Sequence, residues 1–153
     1  MKHEVLVYNK TRERIPKKFI ESVILRSLNF FLPSGDLPEG EKLKQPVEMA
    51  VLVVDKKEIK RLNKIWRKKS YAPEELSFGL NSRQKEIFAK RKNKMLELGE
   101  IVISSEKIRD KKYLATLLIH SLLHLLGYDH EKSAAKAKKM ERLETKILNH
   151  VSQ

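Results

Sequence analysis

The apolar positions of the chain fall into two kinds of pattern, and those patterns predict its elements. "HEVLVYN", from His3 to Asn9, is short, β-branched and followed by polar residues, which predicts a strand. Around Pro16, a residue suited to a first helical turn, Ile15, Phe19, Ile20, Val23, Ile24 and Leu28 recur at three-to-four spacing and predict an amphipathic helix. "VEMAVLVV", from Val47 to Val54, predicts a second and more deeply buried strand. The stretch between them, "LPSGDLPEGEKLKQP" from Leu32 to Pro46, is rich in Pro, Gly and charge and reads as a long surface loop. Asp55 can then cap a helix whose inner stripe is Ile59, Leu62, Ile65 and Trp66. "LSFGL" and "GEIVIS" predict two further short strands, separated by a basic helical stretch between Gln84 and Leu98.

The last third of the chain predicts two helices. Asp110 to Leu126 is apolar and stopped by Gly127, and Glu131 to His150 is charged, with an inner face of Ala134, Ala137, Met140, Leu143 and Ile147. This order predicts an α+β fold in which a small mixed sheet of about four strands packs against several helices. Residues 1–153 are expected to form a single domain.

Composition narrows the chemistry. The chain has no cysteine, so disulfides, thiolate metal ligands and thiol nucleophiles are excluded, and a metal would need histidine or carboxylate ligands. Its N-terminal residues lack the apolar core of a signal peptide, and the most apolar run, Leu114 to Leu126, is too short and interrupted to span a bilayer. A cytoplasmic protein without a membrane partner is expected. Thirty-three Lys and Arg against twenty Asp and Glu leave a net charge of +13. "KKEIKRLNKIWRKK", from Lys56 to Lys69, holds eight basic residues and one acidic one, and "RQKEIFAKRKNK", from Arg83 to Lys94, holds six and one. Stretches this one-sided favour a polyanionic partner, nucleic acid first, over a merely solvated face.

"HSLLHLLGYDH", residues 120 to 130, carries three of the five histidines. Positions four apart share one helix face, so His120 and His124 can aim their rings at one point. Gly127 can end the helix in a left-handed conformation, after which His130 can approach as a third ligand. Three imidazoles leave one tetrahedral position open, the arrangement of a catalytic zinc site, whereas any one of these histidines alone reads as a hydrogen-bonded core residue. The stretch matches H-E-x-x-H-x-x-G-x-x-H except that Ser121 stands where a metalloprotease has its glutamate base. A serine hydroxyl cannot take a proton at neutral pH, so a protease would need a glutamate from elsewhere, such as Glu100. The H-x-E and P-C-x-x-C elements of zinc deaminases are absent.

The same stretch resembles the H-G-x-x-H-L-x-G-Y-D-H signature of the YbeY family of single-strand-specific endoribonucleases involved in rRNA maturation. "LNKIWRKKS" (Leu62 to Ser70) resembles the family's L-N-x-x-[YF]-R stretch, "LSFGL" (Leu76 to Leu80) its V-L-S-F-P strand, and "LGEIVIS" (Leu98 to Ser104) its L-G-D-I-x-I-S strand. The resemblance implies that His120, His124 and His130 hold one catalytic zinc ion, and that Arg67 is a catalytic arginine. It also implies single-stranded RNA, rRNA foremost, as substrate, with the ribosome or its proteins as partners. A ribosome- or RNA-binding protein with a structural metal and no cleavage activity is the alternative. Departures from the pattern are Ser121 for glycine, Gly79 for proline, Glu100 for Asp, and Pro73-Glu74-Glu75 where a T-D-V-like segment is common.

Arg67 suits two phosphate oxygens with its planar fork, against a bland reading as one more exposed charge. Trp66 reads either as a base-stacking platform or as a core anchor, and its spacing favours the core. Asp129 reads equally as an acceptor behind His130 or as a turn residue.

Overall fold

The computed structural model of the chain describes residues 2–30, 46–79, 95–128 and 133–152. The expected loop over residues 32–45, most of the basic stretch between the last two strands, Asp129 and His130 all lie outside the described residues.

Four strands form one mixed sheet: β1 (Glu4–Asn9), β2 (Val47–Val54), β3 (Glu75–Gly79) and β4 (Leu96–Ser104). Their spatial order is β1-β2-β4-β3, with β1 and β4 parallel to β2 and β3 antiparallel to β4, so β3 lies at an edge. Period-two alternation sends Val47, Met49, Val51 and Val53 to one face of β2 and leaves Val54 for the other. The first face is covered by α1 (Lys17–Phe30) and α3 (Lys111–Leu125), against which α4 (Ala134–Val151) packs, and the second by α2 (Lys56–Arg67).

α1 buries Ile20, Val23, Ile24 and Leu28 on the predicted stripe. α3 is enclosed by neighbours on most sides, which is why it has so little amphipathic contrast: Leu114, Leu118, Ile119, Leu122 and Leu123 are all in the main core. Asp110 caps it by accepting from the Tyr113 N–H, at 3.1 Å. α4 begins at Ala134 rather than Glu131, since Ser133 supplies its N-cap by accepting from the Lys136 N–H at 3.1 Å. Its buried anchors are Met140 and Ile147, while Ala134 is exposed.

Two further readings of the sequence need correction. Leu96 to Leu98 belong to β4 and not to the preceding helix. Pairing with β2 skips from Glu48–Glu97 to Met49–Gly99, a bulge that leaves Leu98 as the extra residue and interrupts the alternation that would have announced the strand. Gly99, at φ 137°, is required there, because a Cβ would lie 2.2 Å from the Phe78 carbonyl oxygen. Ile65 and Trp66 are exposed, Trp66 by 67%. The inner positions of α2 are Ile59, half-buried Leu62 and a buried polar residue, Asn63.

Candidate metal centre

The two described histidines of the signature do converge. Their Nε2 atoms lie 3.0 Å apart on one half-buried face of α3. The other ring nitrogen of each is held: His120 Nδ1 meets Glu144 Oε1 of α4 at 2.5 Å, and His124 Nδ1 meets the Tyr128 carbonyl oxygen at 3.1 Å. A carboxylate and a carbonyl both accept, so both Nδ1 atoms are donors and both neutral rings turn an Nε2 lone pair inward. Two lone pairs at 3.0 Å repel unless a cation, proton or metal ion, lies between them. Two nitrogens bound at ~2.05 Å to one tetrahedral zinc would be separated by about 3.3 Å, so the pair already has nearly the bite of a metal clip.

Local sequence explains how the pair is held. Gly127 adopts φ 103°, its N–H donates to the His124 carbonyl at 3.0 Å, and the Tyr128 N–H reaches back to Leu123 at 2.9 Å. This is a Schellman stop, and it turns the Tyr128 carbonyl back toward the His124 ring. Met140 and Ile147 anchor α4 in the core and so bring Glu144, which lies between them on the inner face, to His120. The Glu144 hydrogen bond raises the His120 pKa above its ordinary 6.5, opposed by burial and aided by the negative charges of Glu144 and Glu75. Glu144 is not among the inner-face positions read from the sequence for this helix. The three-to-four spacing from Met140 and Ile147 was the available signal.

Ser121 is fully buried, and its hydroxyl donates to Glu75 Oε2 at 2.7 Å. Ser77 donates to the same oxygen at 3.3 Å. The side chain added where the family signature has glycine is therefore turned into the protein against β3. The two departures, Ser121 and Glu75, are bonded to each other. Glu100, raised as a stand-in protease base, is exposed and pairs with Phe78 on the α2 face, away from the histidines.

Among the described residues no cluster of three or more His, Asp or Glu side chains is placed to hold a metal ion, and His130 is outside them. Arg67 is not brought against the histidines. It is the last residue of α2, exposed, on the opposite face of the sheet from α3. The two faces meet at β3: Glu75 and Ser77 join the α3 side, whereas Leu76 and Phe78 join the α2 side.

A family model described as Endoribonuclease YbeY matches residues 7–152. The chain belongs to the YbeY family. A curated relative named Endoribonuclease YbeY, from Thermodesulfovibrio yellowstonii, is 32% identical over 164 residues and covers 99% of each chain. Others of that name are those of Syntrophomonas wolfei, 31% identical with 97% of each chain covered, and Aquifex aeolicus, 35% identical over 69% of this chain and 71% of its own. The solution structure of a Thermotoga maritima protein superposes with a TM-score of 0.56 at 23% identity, covering 96% of this chain and 88% of that one, a likeness of fold. No helix among the described residues is long and apolar enough to cross a membrane.

Proposed function

We propose that the chain is a metal-dependent endoribonuclease that cleaves single-stranded RNA, rRNA foremost, during ribosome maturation or quality control in the cytoplasm. His120, His124 and His130 hold one zinc ion in this reading, and Arg67 holds substrate phosphate. The observation that carries it is the convergence of the two Nε2 atoms with both Nδ1 atoms already donating, on the helix that carries the family signature. Membership of the YbeY family and the net charge of +13 support RNA as the substrate.

When bound, zinc supplies Lewis-acid charge neutralisation and water activation near neutral pH. The residues of the chain do the rest. Glu144 and the Tyr128 carbonyl fix ring orientation and place the proton of each neutral ring on Nδ1, leaving the Nε2 lone pairs for the metal. Arg67 presents a planar fork for two phosphate oxygens. Since α2 and α3 lie on opposite faces of the sheet, an RNA that meets both Arg67 and the histidines passes around the edge strand β3.

The test is elemental analysis of wild-type and His124→Ala protein, followed by incubation with single-stranded RNA with and without chelator. Near-stoichiometric metal that the variant loses, with chelator-sensitive cleavage by the wild type alone, is expected. Protein that binds RNA but cleaves none after zinc is added would instead be a binding module. A 2′,3′-cyclic phosphate product would exclude direct attack by water as the first step.

A further inference from the structure

The end of α2 carries an exposed aromatic ring for which burial gives no reason. Trp66 is 67% exposed, whereas tryptophan is on average a highly buried residue. Its ring sits edge-to-face against Phe78 of β3, with centroids 6.3 Å apart and planes at 64°. Phe78 in turn packs on the smaller core of Val54, Ile59, Leu76 and Val102. The indole is thus propped on a rigid base with much of its surface open.

The chain around it is fixed as well. Asn63, buried beneath, donates through Nδ2 to the Tyr71 carbonyl at 3.0 Å, and its own carbonyl accepts from the Lys68 N–H. Lys68 takes the left-handed conformation, φ 61°, and ends the helix there. Among the described residues none of Lys64, Arg67, Lys68 and Lys69 has an ion-pair partner, whereas Arg61, one turn earlier, is paired with Glu58. An open aromatic face set among unpaired cations matches a ligand that carries both π surfaces and regular negative charge. Single-stranded RNA has both: its phosphates meet the cations, and an unpaired base offers a face to the ring.

We propose that Trp66 is a base-stacking platform that receives an unpaired base of the RNA while Lys64, Arg67 and Lys68 hold the flanking phosphates. This deepens the endoribonuclease reading and rests on it for the identity of the polymer. The platform stands on the α2 side of β3 and the histidines on the α3 side, so it grips the strand away from the bond to be cut and contributes binding rather than chemistry. Selection against duplex follows, because paired bases have no face to offer.

The chain contains one tryptophan, so its fluorescence reports this ring alone. The experiment titrates the full-length protein, as purified, with a 2′-O-methylated oligoadenylate of about ten nucleotides, then with the same strand in a duplex, then with inorganic polyphosphate. Saturable quenching by the single strand, and little by the duplex or by polyphosphate, is expected. Trp66→Ala should weaken binding of a labelled oligonucleotide by roughly 5- to 100-fold, and Trp66→Phe should recover most of it. Binding without a change in emission, quenching by polyphosphate equal to that by the oligonucleotide, or unaltered affinity in Trp66→Ala would each overturn the platform. The last result would point to a protein as the occupant of this surface. Quenching without any metal-dependent cleavage would count against the nuclease reading alone, and cleavage with a silent indole against the platform alone.

Discussion

Restoring the family's residues one at a time should damage this protein, because Ser121 and Glu75 act as a pair. Ser121→Gly removes the hydroxyl that donates to Glu75 at 2.7 Å in a fully buried position. A hydrogen bond to a charged group contributes ~1.5–3 kcal/mol, lowered here because Glu75 is only half-buried and water can take the place of the serine. Glycine inside a helix costs about 0.5 kcal/mol more than serine, so the single substitution should destabilise by about 2 kcal/mol. Glu75→Val leaves the Ser121 hydroxyl buried without its acceptor but gains a strand-favouring side chain, and should cost about 1 kcal/mol. Once either partner is gone the second change breaks nothing further, so the double variant should be more stable than additivity predicts by ~1 kcal/mol or more. Urea unfolding of the four proteins in chelator measures this coupling. A coupling energy within about 0.5 kcal/mol of zero would refute the pairing.

Other outcomes follow from the same geometry. Glu144→Gln should weaken zinc binding by roughly 10- to 100-fold in competition with a chromophoric chelator, with the fold retained. In metal-free protein the His120–Glu144 contact raises the pKa of His120 above 6.5, so its stabilisation is fully present below 6.5 and is lost as pH rises through the raised value. The stability difference between wild type and Glu144→Gln should therefore shrink between weakly acidic and alkaline pH, and a difference constant with pH would contradict it. Burial lowers the pKa of His3, which accepts from the Val47 N–H at 2.9 Å, so its contribution has the opposite sign and fades as pH falls below 6.5. Gly99→Ala should cost more than ~3 kcal/mol in denaturant unfolding, since both φ and the Phe78 carbonyl oppose a side chain.

The sequence announced what depends on periodicity and little of what depends on contacts between distant segments. Strands β1 and β2, the stripe of α1 and the leucine-rich α3 were legible because burial on a defined face demands a defined spacing. So was the convergence of His120 and His124, which four-residue spacing and a stopping glycine impose locally. The stripe of α2 was misread because every apolar residue at roughly helical spacing was counted inward. Asn63 instead takes an inner place to hold the turn after the helix, and Trp66 is left outside. Glu144 and Glu75 were missed for another reason. Each reaches the α3 helix from another element, 24 and 46 residues away along the chain, and no local pattern marks such a meeting.

The bulge in β4 also governs how this strand can change length. Leu98 and Ile101 both enter the main core although an odd number of positions separates them, so the strand consists of two halves in opposite phase. Removing Leu98 would make the hydrogen-bond ladder regular and leave Leu96 opposite Val47 on the core face, whereas straightening the bulge with every residue kept would exchange Leu98 for Glu97 at the core. Deletion of Leu98 is therefore expected to keep the faces of the whole strand and forfeit only the Leu98 side chain, and an alternation-based reading that counts every residue will keep assigning the first half of this strand to the wrong face.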